Sequence, residues 1–206
     1  MLLMRARGVQ DLKVLRALER APRALFMPQR YRDVSGRDFA LPIGGGQTAP
    51  PPSVVAGMIA ALGLEPQHSV LEIGSGTGYA SALIGQMASH VMAVERCQSL
   101  MLEAATRLKA LKVDNVEASW SDGHEWLGRA ERFDRIIIHA LIAPPVNDWM
   151  GLLKPGGALI GVLADDGAGG QRVMRLTLDL AGAPEAIDGG AARSYRPLAR
   201  GVIGAI

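Results

Sequence analysis

One cysteine in 206 residues, Cys97, leaves no partner for an intramolecular disulfide and no thiolate set for a metal. Long hydrophobic runs are missing too. No stretch reaches the ~20 apolar residues needed to cross a bilayer, and the apolar run in the opening "MLLMRARG" is too short for a signal peptide. Charge of one sign is equally scarce, since 22 basic and 20 acidic residues nearly cancel to a net +2. The basic residues are scattered, with no run resembling a phosphate-binding patch, which argues against a nucleic-acid or membrane partner. The four histidines, His68, His90, His124 and His139, lack close ligand spacing, so each reads as a surface or satisfied core group and no metal is expected. Aromatics are few, and Trp120, Trp126 and Trp149 read as packing anchors for helices flanking a sheet. The expected setting is cytoplasmic.

What is present is ordinary globular material. The chain is 49% apolar and 20% charged, long enough for one domain with a sizeable core, and without repeats. One segment breaks the pattern: "GGGQTAPPPSVVA" at 44–56. Three glycines free the backbone, Gln47 and Thr48 add polarity that a turn does not need, and three prolines then stiffen the chain.

The first forty residues read as a helix, "DLKVLRALERA", ended near Pro22, then a polar, arginine-rich connection. From residue 70 strands and helices alternate. "VLEI" is a strand, "GSGTGY" a glycine turn and "ASALIGQMA" a helix; "VMAVE" and "SLMLEAATRLKAL" repeat the unit. "NVEASWSDG" is a third strand with its exit loop and "FDRIIIHA" a fourth. "VNDWMGLLK" follows as a helix, "KPGG" as a turn and "ALIGVLA" as a fifth strand. Residues 172–179, and 193–198, read as late strands of an antiparallel finish, and 164–171 as a turn between late strands. Continuous apolar strands alternating with helices imply an α/β fold, a doubly wound, mostly parallel sheet covered on both faces, with an N-terminal helical extension. Ligands of such sheets bind at the carboxyl ends of the strands, beside the topological switch.

The glycine loop selects the ligand class. A dinucleotide loop reads G-x-G-x-x-G; here Gly74, Gly76 and Gly78 form the tighter G-x-G-x-G, with Tyr79 where the third dinucleotide glycine would stand. Preceded by "VLEI", the loop resembles motif I of the class I S-adenosylmethionine (SAM) methyltransferases. Glu95 closes the next strand about twenty residues on, where a carboxylate can accept from two ribose hydroxyls. Asp122-Gly123 ends the third strand, and by the resemblance its acid faces the adenine amino group. "LLKPGGAL" is similar to the family's turn before strand five. The resemblance implies a cofactor site of Thr48, Glu72, Gly74, Ser75, Gly76, Thr77, Gly78, Glu95, Arg96, Asp122 and Gly123, binding SAM and releasing S-adenosylhomocysteine.

The first seventy residues narrow the family. "RAPRALFMPQRYRD" and "ALPIGGGQT" resemble protein-L-isoaspartate O-methyltransferases, which read V-P-R-x-x-F-V-P and then L-P-I-G-x-G-Q-T-I-S-Q-P. "HVMAVER", "DNVEASWSDG", "FDRIII" and "YRPLARG", similar to the family's F-V-P-L ending, extend the match over nearly the whole chain. Residues 1–206 then form one SAM-dependent methyltransferase domain, with 1–69 as the helical and acceptor-loop region and 70–206 as the SAM-binding core. The implied partner is an isoaspartyl-containing protein or peptide.

The resemblance also marks two departures. Gln47 and Thr48 match the acceptor loop and count with Pro50 as the catalytic positions, but Pro50 stands where the family has its serine, without hydroxyl or N–H. Thr48 or Ser53 could supply a substitute hydroxyl. Past the fourth strand the family has a small-residue stretch such as V-T-A-A-P, whereas this chain has "IIHALIAPP", with bulky His139, Leu141 and Ile142. Three readings stay open: an isoaspartyl methyltransferase, a methyltransferase for another carboxylate or small molecule, and a SAM-binding homologue without catalysis.

Overall fold

The computed structural model describes residues 2–164, 170–178, 184–192 and 195–204. Two helices come first, α1 (Leu2–Ala6) and α2 (Leu12–Arg20). Asp11 caps α2 by accepting the Lys13 N–H at 2.7 Å, and the helix stops at Ala21, before the proline that could not continue it. Two 3-10 turns, Arg23–Leu25 and Gln29–Val34, lead to a small hairpin of β1 (Leu41–Pro42) and β2 (Thr48–Ala49). Helix α3 (Pro52–Leu62) follows at once, with Pro52 in its first turn, where a missing N–H is harmless, and Gly63 at its left-handed end.

Strict alternation then takes over: β3 (Ser69–Ile73), α4 (Tyr79–Gly85), β4 (His90–Glu95), α5 (Gln98–Ala110) and β5 (Val116–Trp120). A 3-10 turn at Gly123–Trp126 leads to β6 (Phe133–Ile142), the short α6 (Asn147–Met150), β7 (Leu153–Ala164), β8 (Gln171–Leu178) and β9 (Pro184–Ala192). The large sheet runs β5-β4-β3-β6-β7-β8-β9. Its first five strands in that order are parallel, and β8 and β9 add an antiparallel edge. From β3 the chain steps outward to β4 and β5, then crosses back to β6 on the other side of β3. The switch therefore lies between β3 and β6, and a crevice opens at their carboxyl ends.

Side-chain alternation divides the core between the two faces. Val70 and Ile137 join the cluster built with the N-terminal helices, α3 and α4, while Leu71, Ile73, Ile136 and Ile138 join Trp126 and Trp149 opposite. Glu72 shares the Val70 face and pairs in register with Ile137; His139 lies two residues further along the same face of β6. One parity rule thus brings an acid and an imidazole together under the N-terminal region.

Several expected elements are corrected. The helix expected over "VNDWMGLLK" is a single turn, because Leu153 already pairs with Phe133. "KPGG" is an irregularity inside β7, where the register jumps from Phe133↔Leu153 to Arg135↔Ala158. The last strand is Pro184–Ala192; within 193–198 the described residues make only an isolated bridge, Leu141↔Pro197. Of the turn expected at 164–171, residues 165–169 lie outside the described residues. Trp126 and Trp149 are core, but Trp120 is 38% exposed and donates to the Arg96 carbonyl at 3.0 Å. Among the described residues no helix is long and apolar enough to cross a membrane.

Candidate active site

A cavity of about 650 Å³ opens at the switch point. Its floor is the turn after β3. Gly74, Gly76 and Gly78 have φ of +81°, +56° and +82°, left-handed values that strain any side chain with a Cβ. A Cβ on Gly78 would also meet the Ala104 Cβ at 3.0 Å, so glycine lets α4 start against α5. The Gly74 and Ser75 N–H groups donate to the Val94 carbonyl at 2.8 and 3.1 Å, tying the turn to β4. Gly74, Ser75, Gly76 and Thr77 line the cavity.

Glu95, at the end of β4, is 5% exposed and lines the same space. Its two oxygens accept the Gly76 and Cys97 N–H groups, each at 2.8 Å, which fixes the carboxylate while leaving lone pairs on both oxygens. Burial, and then the neighbouring Glu95 charge, push the Cys97 thiol above its ordinary pKa, so Cys97 is a protonated packing group, not a nucleophile.

The hairpin forms the facing wall through Ile43, Gln47, Thr48, Ala49, Pro50 and Pro51. Its loop closes through Ile43 N–H to the Gln47 carbonyl at 2.9 Å and Gln47 N–H to the Gly44 carbonyl at 3.1 Å. Gly45 sits at φ +62°, and a Cβ there would lie 3.0 Å from Cys97 Sγ, so only glycine lets the loop tip rest on the start of α5. That explains the glycines of the 44–56 segment; the prolines carry the chain directly from this wall into α3.

Arg23 supports the wall from behind. It is 5% exposed, and its terminal nitrogens donate to the carbonyls of Ser35, Phe39, Ala49 and Pro50, the last at 2.8 Å. Burial pulls its pKa below the usual arginine value, against the opposing pull of Tyr79 and Asp38. Asp38 fixes the next stretch: it accepts the Ser53 N–H at 3.1 Å and the Ser53 hydroxyl at 2.9 Å. Ser53 is therefore turned to Asp38 and absent from the cavity wall, whereas Thr48 is exposed on it.

Glu72 is fully buried behind the turn, with Oε1 3.1 Å from His139 Nε2; His139 itself reaches the wall. Glu72 Oε2 and His139 Nδ1 are buried without a hydrogen-bond partner. Asp122 and Gly123 stand outside the wall. The Asp122 carboxylate caps the following turn through the His124 N–H at 2.9 Å and also accepts the Gly201 N–H. Burial alone would raise its pKa, but these N–H donors, Gly201 first, hold it below the ordinary aspartate value.

The roof comes from a segment whose sequence pattern points to a strand or a family ending, not to a cover over the site. Residues 195–204 form a strap across the strand ends. The Leu141 N–H donates to the Arg196 carbonyl and the Leu198 N–H to the Leu141 carbonyl, both at 2.9 Å. Further on, Ile203 exchanges bonds of 2.8 Å with Arg96 and Gln98, and the Arg96 side chain donates to the Gly201 and Arg200 carbonyls. Tyr195, Arg196, Pro197, Leu198 and Ala199 line the cavity. Strap and floor meet by tertiary pairing, so the local pattern of "YRPLARG" does not show that it covers the site.

Comparison with known proteins bears on the family and the fold. The family model of protein-L-isoaspartate(D-aspartate) O-methyltransferase (PCMT) matches residues 1–180. A protein-L-isoaspartate O-methyltransferase of Azorhizobium caulinodans is 44% identical over 157 residues, covering 76% of this chain and 72% of the relative. One from Caulobacter vibrioides is 38% identical over 181 residues, covering 82% of each. Among solved structures, a putative protein-L-isoaspartate O-methyltransferase from Plasmodium falciparum, in complex with S-adenosyl-L-homocysteine, superposes with a TM-score of 0.80. It covers 95% of this chain and 94% of its own at 19% identity, which speaks for the fold. The chain belongs to the protein-L-isoaspartate (D-aspartate) O-methyltransferase family.

Proposed function

We propose that the cavity transfers a methyl group from SAM to the free carboxylate of isoaspartyl residues in damaged proteins or peptides. The observation that carries this reading is a single cavity in which the glycine turn and Glu95 face the hairpin wall of residues 43–51, in a chain of this family. We read the chain as one methyltransferase domain working in the cytoplasm, with residues 1–69 as the helical and acceptor-loop region and 70–206 as the SAM-binding core.

The residues fit the cofactor. The turn presents left-handed glycine backbone to the cavity at Gly74 and Gly76, Glu95 has free lone pairs for a ribose diol, and Glu72 holds an unpartnered buried oxygen. Gly74, Ser75, Gly76 and Thr77 would hold the methionine and sugar portions, Glu95 the ribose, and Arg96 the adjoining edge. A contact from Asp122 to the adenine would share its carboxylate with the Gly201 N–H, so that end of the site depends on the strap. When bound, SAM supplies a methyl group on a positively charged sulfur that leaves as a neutral thioether.

The protein's own work is then positional. A carboxylate with a reference pKa near ~4 is ionised at neutral pH, so no general base is needed. The hairpin has to hold the acceptor oxygen in line with the methyl group, and strap and hairpin have to exclude water. Thr48 is the side-chain hydroxyl that the hairpin offers to the cavity, Gln47 lies beside it, and Pro50 offers no donor.

The Pro50 and His139 positions in this wall favour one second reading, a carboxylate acceptor of a different shape. Methyl transfer from labelled SAM to an isoaspartyl peptide, beside its aspartyl twin, separates the two. Transfer to the isoaspartyl peptide alone supports repair; SAM binding without transfer to either peptide would overturn it.

A further inference from the structure

We propose that Arg196 is the acceptor-binding residue of this enzyme, clasping the anionic carboxylate of the methyl acceptor at the mouth of the cavity. The inference rests on the carboxyl-methyltransferase reading and assigns its acceptor contact to a residue that the motifs of the glycine turn and hairpin do not contain.

Among the described residues, the charged groups lining the cavity can be taken one by one. Glu95 is held by two backbone N–H groups. The Arg96 guanidinium is spent on the Gly201 and Arg200 carbonyls. His139 leans on Glu72. Arg196 lines the same cavity, is exposed, and its side chain has no hydrogen bond or ion pair. It is a cation with its binding capacity unused, in a wall where the hairpin position Pro50 has no donor at all.

Its backbone, by contrast, is fixed. The Arg196 carbonyl accepts from Leu141 at 2.9 Å. The preceding Tyr195 is 7% exposed, donates its N–H to Gln171 Oε1 at 2.9 Å and places its hydroxyl against Met58 Sδ. Pro197 then limits the chain on the other side. A rigid backbone bearing a free guanidinium is pre-organised for a carboxylate, which the fork of N–H donors can engage through two parallel bonds. The cofactor side of the cavity carries the acid Glu95, so an anionic acceptor is drawn to the Arg196 side and away from it. At the family's F-V-P-L ending valine stands where this chain has Arg196; a charge here compensates for the donor missing at Pro50.

The test uses the full chain and the variants Arg196→Val, Arg196→Lys and Arg196→Gln, each checked for an unchanged melting temperature. Labelled methyl transfer is measured against concentration of an isoaspartyl hexapeptide at low and high salt, and S-adenosylhomocysteine affinity is measured by calorimetry on the same samples. A lost charged hydrogen bond predicts a KM for the peptide about 10- to 100-fold higher in Arg196→Val, with kcat within about threefold. Arg196→Lys should recover part of the loss, Arg196→Gln little, and the salt dependence of KM should flatten in both neutral variants. S-adenosylhomocysteine affinity should stay within about twofold. An unchanged KM in Arg196→Val, or a parallel fall in S-adenosylhomocysteine affinity, would overturn the assignment while leaving the enzyme's activity intact. A wild-type chain that binds S-adenosylhomocysteine but transfers nothing to the peptide would remove the isoaspartyl reading and this assignment together.

Discussion

His139 Nε2 lies 3.1 Å from Glu72 Oε1, and the carboxylate is fully buried with the imidazole as its hydrogen-bond partner. A buried polar group loses its hydration and is retained at little cost only when a hydrogen bond replaces that hydration. Removing one member of such a pair leaves the other buried without its partner, at a typical cost of about 1–3 kcal/mol. His139→Ala should therefore unfold at markedly lower urea concentration than wild type. Adding Glu72→Gln to it should change stability by less than the two single effects summed, because the contact is already lost in the first variant. Urea titration of the two single variants and the double variant measures the coupling. Additive effects would show that the pair is only a contact.

Much of this was legible beforehand, and the reasons are local. Continuous apolar runs such as "IIIHALI" follow from burial on both faces, and G-x-G-x-G from the left-handed angles at Gly74, Gly76 and Gly78. The position of Glu95 follows from the length of one strand-helix-strand step. What stayed hidden depends on long-range pairing. Arg23 meets Ala49 and Pro50 across 26 and 27 residues, and Gly201 meets Asp122 across 79. The sequence pattern over-extends the single-turn α6, because an apolar run beside proline gives the same signal as a longer helix, until Leu153 pairs with Phe133.

Arg23 bears on activity without reaching the reactants. Its donors to Ala49 and Pro50 set the hairpin wall, and the glycine turn does not depend on them. Arg23→Met should raise KM for the peptide and lower kcat, by about tenfold or more in kcat/KM, with S-adenosylhomocysteine affinity little changed. Millimolar guanidinium should partly restore activity to Arg23→Ala by refilling the space. Equal losses in peptide kinetics and cofactor affinity would mean that the side chain supports the whole fold instead of the wall.

Glu95 makes the opposite split. Its carboxylate holds the Gly76 and Cys97 N–H groups and is the proposed ribose contact. Glu95→Ala should weaken S-adenosylhomocysteine binding by about a hundredfold, the order expected for losing two charged hydrogen bonds. Calorimetry on the purified variant checks this. Unchanged affinity would place the ribose elsewhere.

Asp134 gives the fold an acid limit. Burial would raise its pKa, but the Ser69 N–H and hydroxyl, each at 2.8 Å, and Lys154 at 2.9 Å pull it down to about 2. A folded pKa below the unfolded one means that this stabilisation is complete above the ordinary aspartate value, near ~4, and is lost as pH falls toward 2. The shift corresponds to about 2 kcal/mol at neutral pH. Asp134→Asn should remove that increment at pH 7, and its stability should converge on that of wild type toward pH 2, as followed by denaturant titration at several pH values.

Pro50 is where the chain's chemistry differs most from its family pattern, and the structure narrows what a reversal can do. The Pro50 carbonyl is already bound by Arg23 at 2.8 Å, so the backbone there is held by more than the proline ring. Pro50→Ser therefore keeps the wall in place while adding a hydroxyl and an N–H beside Thr48. A donor that strengthens its bond in the transition state is worth about ten- to a hundredfold in rate. Isoaspartyl kcat should rise by up to that amount, with S-adenosylhomocysteine affinity unchanged. A rise in kcat would mean that the proline only removed a donor. No rise, with cofactor still bound, would mean that His139 and Arg196 have rebuilt the acceptor side, so that a hydroxyl at position 50 no longer meets the reacting oxygen.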